Sequence, residues 1–158
     1  MRQIRVYVDT SVFGGARDEE FQDASLRFLD RVRNGDYRLL VSPITYGELE
    51  GAPAAVRQLV AELPDVVFEH VPTTDEAHEL ARAYIAAGAL GAASLDDALH
   101  VATATVAGAD LILSWNFRHI VNYDRIRKFN AVNLMKGYQS ISVCSPLEVA
   151  YGDEDEAV

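Results

Sequence analysis

Short apolar runs that alternate with stretches of helical spacing constrain this chain more than any other feature. Residues 4–8, 37–41, 66–71, 111–113 and 141–143 each read as a strand, bounded by turn or capping residues. Strands that alternate with helices over short connections build a parallel sheet covered on both faces. The pattern therefore predicts an α/β domain of three layers, with a mainly parallel central sheet flanked by helices. In the first strand Ile4, Val6 and Val8 alternate with Arg5 and Tyr7, and the run ends in Asp9-Thr10-Ser11, which a turn follows. Phe21, Leu26, Phe28, Leu29 and Val32 place a helix over 19–33. Ser42-Pro43 combines an N-cap with a first-turn proline and opens a short helix that carries Glu48 and Glu50 and is interrupted by Ala52-Pro53. Further helices are predicted over 53–62, after a cap at Thr73 or Thr74, from a cap at Ser94 to about residue 106, and over 125–136, with another Ser-Pro start at Ser145.

A length of 158 residues suits one domain. We expect residues 1–150 to form it and the acidic 151–158 to be a disordered, solubilising tail. Apolar residues at 49% and charged residues at 24% exclude a disordered chain, a collagen and a coiled coil. Cys144 is the only cysteine, which rules out an internal disulfide and a zinc site of several cysteines and fits a reducing cytoplasm. No apolar run nears the roughly 20 residues of a membrane span, and no signal-peptide core follows Met1, so the expected location is cytoplasmic, with no membrane partner. The net charge of −10 argues against a protein that coats nucleic acid by charge alone. One stretch breaks the trend: Arg118, Arg125, Arg127, Lys128 and Lys136 face only Asp124 between residues 117 and 138.

In a parallel sheet the ligand crevice lies beyond the C-terminal ends of the strands. Asp9 ends the first strand, Glu48 sits in the helix after the second, and Asp97 lies in the first turn of the helix before the strand at Leu111. Three acids from separate segments can converge there. Clustered carboxylates repel one another unless a cation neutralises them, and an all-oxygen set favours magnesium or manganese over zinc. Such an ion can activate water and clamp the oxygens of a phosphodiester. Singly, an aspartate after a strand is also a common turn residue, and an acid in a first helical turn also serves the helix dipole.

The residues around each acid sharpen the reading. Val8-Asp9-Thr10-Ser11-Val12-Phe13, Thr45-Tyr46-Gly47-Glu48-Leu49, the run from Asp97 to Ala104 and the run from Gly108 to Asn116 resemble, in order and spacing, the motifs of the PIN-domain family, whose best-known members are VapC-type ribonuclease toxins. The resemblance extends over about residues 4–147. It implies a PIN-like fold, metal-dependent hydrolysis of RNA with Mg2+ or Mn2+, an antitoxin partner in the toxin branch, and a homodimer. Carried over position by position, it makes Asp9, Glu48 and Asp97 the metal and catalytic acids, with Thr10 or Ser11 assisting at the substrate. At the fourth position, where many relatives have an acid, this chain has Asn116, and where the toxins often have an acid three residues later it has His119. Asparagine keeps an oxygen ligand and removes a charge.

Arg118, His119, Arg125 and Lys128 are the candidate phosphate contacts, and His119 can bind or protonate a phosphate-bearing group. Trp115, Phe117, Tyr123 and Phe129 interleave with these cations, as single-stranded RNA requires, or else they are core. His100, one helical turn after Asp97, can meet it on the same face. Asp96 points about 100° away from Asp97 and is expected to cap. A phosphatase that uses a strand-end aspartate as nucleophile would need a second aspartate where this chain has Ser11. The remaining alternative is a PIN-like RNA-binding or regulatory module with little turnover.

Overall fold

The computed structural model describes residues 2–151, so the tail assigned to 151–158 lies outside the described residues apart from Tyr151. Strands β1 (Ile4–Val8), β2 (Tyr37–Val41), β3 (Phe68–His70), β4 (Leu111–Leu113) and β5 (Ser142–Cys144) form one sheet in the order β3-β2-β1-β4-β5. Every neighbouring pair is parallel, with Val6 opposite Leu39 on one side and Leu111 on the other. The sheet is thus wholly parallel, and its inner strands are apolar on both faces.

Alternation along the strands divides the core in two. Val6, Val8, Leu39, Val41 and Leu113 face one layer, made by α1 (Thr10–Gly15), α2 (Gln22–Arg33), α3 (Pro43–Glu50) and α4 (Ala54–Glu62), through Val12, Phe13, Phe28, Leu29 and Leu59. Tyr7, Leu40 and Ile112 face the other, made by α5 (Asp75–Ala86), α6 (Leu95–Val106) and α7 (Tyr123–Met135), through Leu80, Tyr84, Val101 and Phe129. A last short helix, α8 (Leu147–Ala150), packs beside α2.

Several boundaries differ from those that spacing predicts. Where a turn was expected after Ser11, α1 starts at once, capped by Asp9, which accepts the Ser11 amide. Gly14 and Gly15 hide that helix, because glycine has poor helix propensity. The second helix starts at Gln22 rather than 19, and α7 starts at Tyr123, two residues early, because Asn122 caps it by accepting from the Arg125 amide. The expected strand over 66–71 shortens to Phe68–His70, preceded by a 3-10 turn that leaves Val66 exposed. Ser42 and Ser94 occupy N-cap positions without making a side-chain cap bond, whereas Thr74 does cap, accepting from the Ala77 amide. Among the described residues no helix is long and apolar enough to cross a membrane.

On the sheet, Arg5 of β1 reaches over β2 to Glu69 of β3, with Nε 3.0 Å from Oε1 and Nη2 2.6 Å from Oε2. This bond, with the Arg5 charge, outweighs burial and holds the Glu69 carboxyl below its ordinary value. A carboxyl depressed in the folded state contributes stability above its unfolded pKa and loses that contribution as pH falls through the folded one. The pair is partly exposed, so its contribution is roughly 1 kcal/mol or less. Urea unfolding should therefore show a smaller loss of stability between neutral pH and about pH 3 for Glu69→Gln than for the parent protein. Equal losses would show that the pair contributes nothing.

Candidate active site

From β1 the chain winds outward to β2 and β3, then crosses back to β4 and β5. This reversal opens a crevice beyond the ends of β1 and β4, the usual ligand position in such sheets. Asp9 sits there with 6% of its surface exposed. Its Oδ1 accepts from the Ser11 hydroxyl at 2.5 Å, and its Oδ2 accepts from the Ser114 hydroxyl at 2.8 Å. Ser11 Oγ in turn accepts the Trp115 amide at 2.8 Å, and Ser114 Oγ accepts the Asn116 amide at 2.9 Å. The turn after β4 is thereby fastened to the start of α1.

Asn116 continues the network. Its Nδ2 donates to Asp97 Oδ1 at 3.3 Å and its Oδ1 accepts the His119 amide at 2.9 Å, while His119 Nδ1 lies 3.0 Å from Asp97 Oδ2. A second network surrounds Glu48. Its Oε1 accepts from the Thr10 hydroxyl at 3.2 Å and meets His100 Nε2 at 2.5 Å. His100 Nδ1 is 2.7 Å from the Tyr7 hydroxyl, which is 2.7 Å from Ser42 Oγ. His100 does not hydrogen-bond Asp97 as their helical spacing suggests; it turns to Glu48 and Tyr7.

Electrostatics joins the two networks at His100. Burial pulls the imidazole pKa down, but the bond to Glu48 and the charges of Asp9, Glu48 and Asp97 outweigh it, so the group is raised. Burial likewise pushes Asp9 above the ordinary carboxylate value, against the charge of His100 and the serine bonds. For Glu48 burial is outweighed by the hydrogen bond and charge of His100, and the carboxyl is lowered.

Among the described residues, no group of three His, Cys, Asp or Glu side chains is arranged to hold a metal ion. The donor chemistry nonetheless fits a hard divalent cation, because Asp9, Glu48 and Asp97 offer carboxylate oxygens and no thiolate. Asp9 is a buried carboxylate whose charge burial disfavours, and a cation would restore it. The Glu48 side chain is 40% exposed and that of Asp97 24%, while Asp9 is buried.

The other candidate residues separate clearly. Arg118 and Lys128 are exposed, whereas Arg125 is committed inward: its Nε donates to the Arg118 carbonyl and its Nη1 to the Ala89 carbonyl. Arg125 therefore pins the turn at 116–121. Ser11 likewise acts as scaffold, with its hydroxyl bridging Asp9 and Trp115, while Thr10 holds Glu48. Phe129 and Trp115 are core, Trp115 being stacked on Phe21 at 4.3 Å between ring centroids, while Phe117 and Tyr123 are exposed. The sequence reading missed Ser114, Tyr7 and Ser42 as members of the site. Ser114 had a local signal, as the first polar residue after β4, but the other two are joined to Glu48 only through the fold.

The family model of the PIN domain matches residues 6–124. No curated protein matches the chain in sequence. Among solved structures, a chain of VapBC2 from Rickettsia felis, bound to a DNA fragment from its promoter, has 11% identity and a TM-score of 0.55, covering 90% of this chain and 98% of that one. VapC20 of Mycobacterium tuberculosis, a toxin that cleaves the Sarcin-Ricin loop, has 15% identity and a TM-score of 0.54, covering 87% and 98%. FitAcB from Neisseria gonorrhoeae has 17% identity and a TM-score of 0.56, covering 91% and 99%. At these identities the likeness is one of fold.

Proposed function

Because the chain belongs to the PIN-domain family, we propose that it is a metal-dependent ribonuclease acting on RNA phosphodiesters from a cytoplasmic location, and the toxin of a pair with a protein antitoxin. The observation that carries this reading is a hydrogen-bond network at one end of the sheet: the turn after β4 holds Asp9 through Ser114 and Asp97 through Asn116, and His100, on the same helix as Asp97, holds Glu48. Resemblance to VapC-type toxins supports the antitoxin and a homodimer, and residues 1–150 would form the nuclease domain.

Asp9, Glu48 and Asp97 would hold magnesium or manganese, with the Asn116 side chain beside them. A bound ion supplies Lewis-acid activation of water and neutralises charge at the phosphate. The chain does the rest. Ser11 and Ser114 fix both oxygens of Asp9, so this carboxylate cannot rotate away. Asn116 and His119 fix those of Asp97. Exposed Arg118 and Lys128 offer cations to the RNA backbone near a protein whose overall charge would repel it.

The test is cleavage of a panel of single-stranded RNAs with magnesium or manganese, with the Asp9→Asn protein run alongside to exclude contaminating nuclease. The second reading, a binding module, is favoured by the neutral Asn116 and by the lack of a preassembled ligand group among the described residues. RNA binding without cleavage at saturating metal would establish it. Metal binding has its own readout: an ion that binds only the folded state adds about 2.7 kcal/mol at roughly a hundredfold excess over Kd. Manganese should therefore raise the melting temperature of the parent protein, and Asp97→Asn should remove most of that rise. Equal stabilisation of both proteins would place the ion elsewhere.

A further inference from the structure

Three residues break local rules, and they break them together. Tyr7 puts a hydroxyl in the middle of the central strand, between Val6 and Val8, and is fully buried. Ser42 stands at the N-cap of α3, where serine ordinarily accepts a backbone amide, yet makes no side-chain cap bond. His100 places an imidazole with 1% exposure in an otherwise apolar stretch of α6. Each would be costly alone, since a buried polar group without a partner loses its hydration for nothing. Together they form one line, Ser42 Oγ to Tyr7 hydroxyl to His100 Nδ1, and on from His100 Nε2 to Glu48 Oε1. No buried side-chain nitrogen or oxygen among the described residues lacks a partner.

The direction of this line follows from its ends. An ionised carboxylate only accepts, so Nε2 must carry the hydrogen that faces Glu48. If the ring is neutral, Nδ1 then accepts from the Tyr7 hydroxyl, and Tyr7 oxygen accepts from Ser42. If the ring is protonated, Nδ1 donates to Tyr7, which donates to Ser42. In both states the proton on Nε2 points at Glu48. Without this anchor Glu48 is a long, partly exposed side chain on a short helix, steadied only by the Thr10 hydroxyl. Both contacts fall on Oε1, and Oε2 makes no hydrogen bond among the described residues.

We propose that Ser42, Tyr7 and His100 are positioning residues, a buried hydrogen-bond line that fixes the orientation of the Glu48 carboxylate at the mouth of the crevice. The ligand role of Glu48 rests on the nuclease reading; the orienting line does not. Groups that orient metal-binding side chains in this way are worth about 10–100-fold in affinity or activity.

The experiment compares the full-length protein with Tyr7→Phe, Ser42→Ala, His100→Ala and His100→Gln. Tyr7→Phe keeps the ring in the core and removes only the hydroxyl, Ser42→Ala is the milder perturbation, and glutamine restores an amide donor within reach of Glu48. In the metal-free protein, imidazole 15N shifts should show His100 protonated at Nε2. Manganese binding followed by electron paramagnetic resonance should weaken about tenfold in Tyr7→Phe and His100→Ala and recover in His100→Gln. In cleavage assays kcat should fall in the same order with KM for RNA unchanged. A neutral ring protonated at Nδ1 in the parent protein overturns the proposal whether or not RNA is cut. Variants that melt lower but bind manganese and turn over like the parent also overturn it, since that pattern belongs to packing alone. A parent protein with the Nε2 proton in place that neither binds manganese nor cleaves supports the orienting line and defeats the nuclease reading.

Discussion

Asp9→Asn is expected to lower metal-dependent RNA cleavage by about 10²–10³-fold, the scale seen when one preorganised charge-stabilising group is removed. The same change should leave the fold at least as stable as before. Asparagine caps a helix about as well as aspartate, so the bond to the Ser11 amide at the start of α1 survives. What disappears is a carboxylate with 6% exposure whose charge burial disfavours and whose neighbour Glu48 repels it. Relief of that penalty should add about 1 kcal/mol in urea unfolding without metal, the usual trade of stability for activity at a charged site. Loss of cleavage with no loss of stability separates a functional carboxylate from a structural one. A protein that loses both would make Asp9 chiefly a clamp between α1 and the β4 turn.

Gly15→Ala should cost about 3 kcal/mol, the largest single-site effect on stability that we expect from a small residue here. A Cβ at this position would lie 2.5 Å from Trp115 Nε1, 2.6 Å from Ser25 Oγ and 2.8 Å from Trp115 Cδ1. The indole must shift, and its 2.8 Å bond to Ser25 must stretch or break. The damage does not stop there, because the Trp115 amide is fastened to Ser11, which holds Asp9. Cleavage should therefore fall along with stability. Gly14→Ala is the control of opposite sign: nothing lies within 4 Å of its Cβ, and alanine favours the helix by up to about 1 kcal/mol. If the two variants unfold at the same urea concentration, the contact between α1 and Trp115 is not tight.

These two sites also show where the sequence was legible. The strand that ends in Asp9 could be read because alternation and burial have the same period, and the family resemblance marked Asp9, Glu48 and Asp97 by their immediate neighbours. Gly15 could not be read, since the indole that excludes a side chain there is a hundred residues away in the chain. Arg125 was legible only in part, for a similar reason. Its place in a basic run suggested phosphate, but the carbonyls that claim it belong to Ala89 and Arg118, and loop carbonyls leave no mark in a sequence. His100 lay between these cases: its spacing from Asp97 was visible, while its actual partners, Glu48 and Tyr7, come from α3 and β1.

The parallel sheet has a consequence for when the protein can act. β1 pairs with β2 early in the chain, but its other edge waits for Leu111–Leu113, and the serine that grips Asp9 follows directly after them. Contacts this distant in sequence form late and slowly. On a ribosome adding about 5–20 residues each second, Asp9 emerges many seconds before Ser114, Asn116 and His119 exist. Over that interval the nascent chain carries acids with no turn to hold them and no second wall to the crevice. The buried carboxylate and the turn that grips it are thereby joined only in chains synthesised past Ser114, Asn116 and His119.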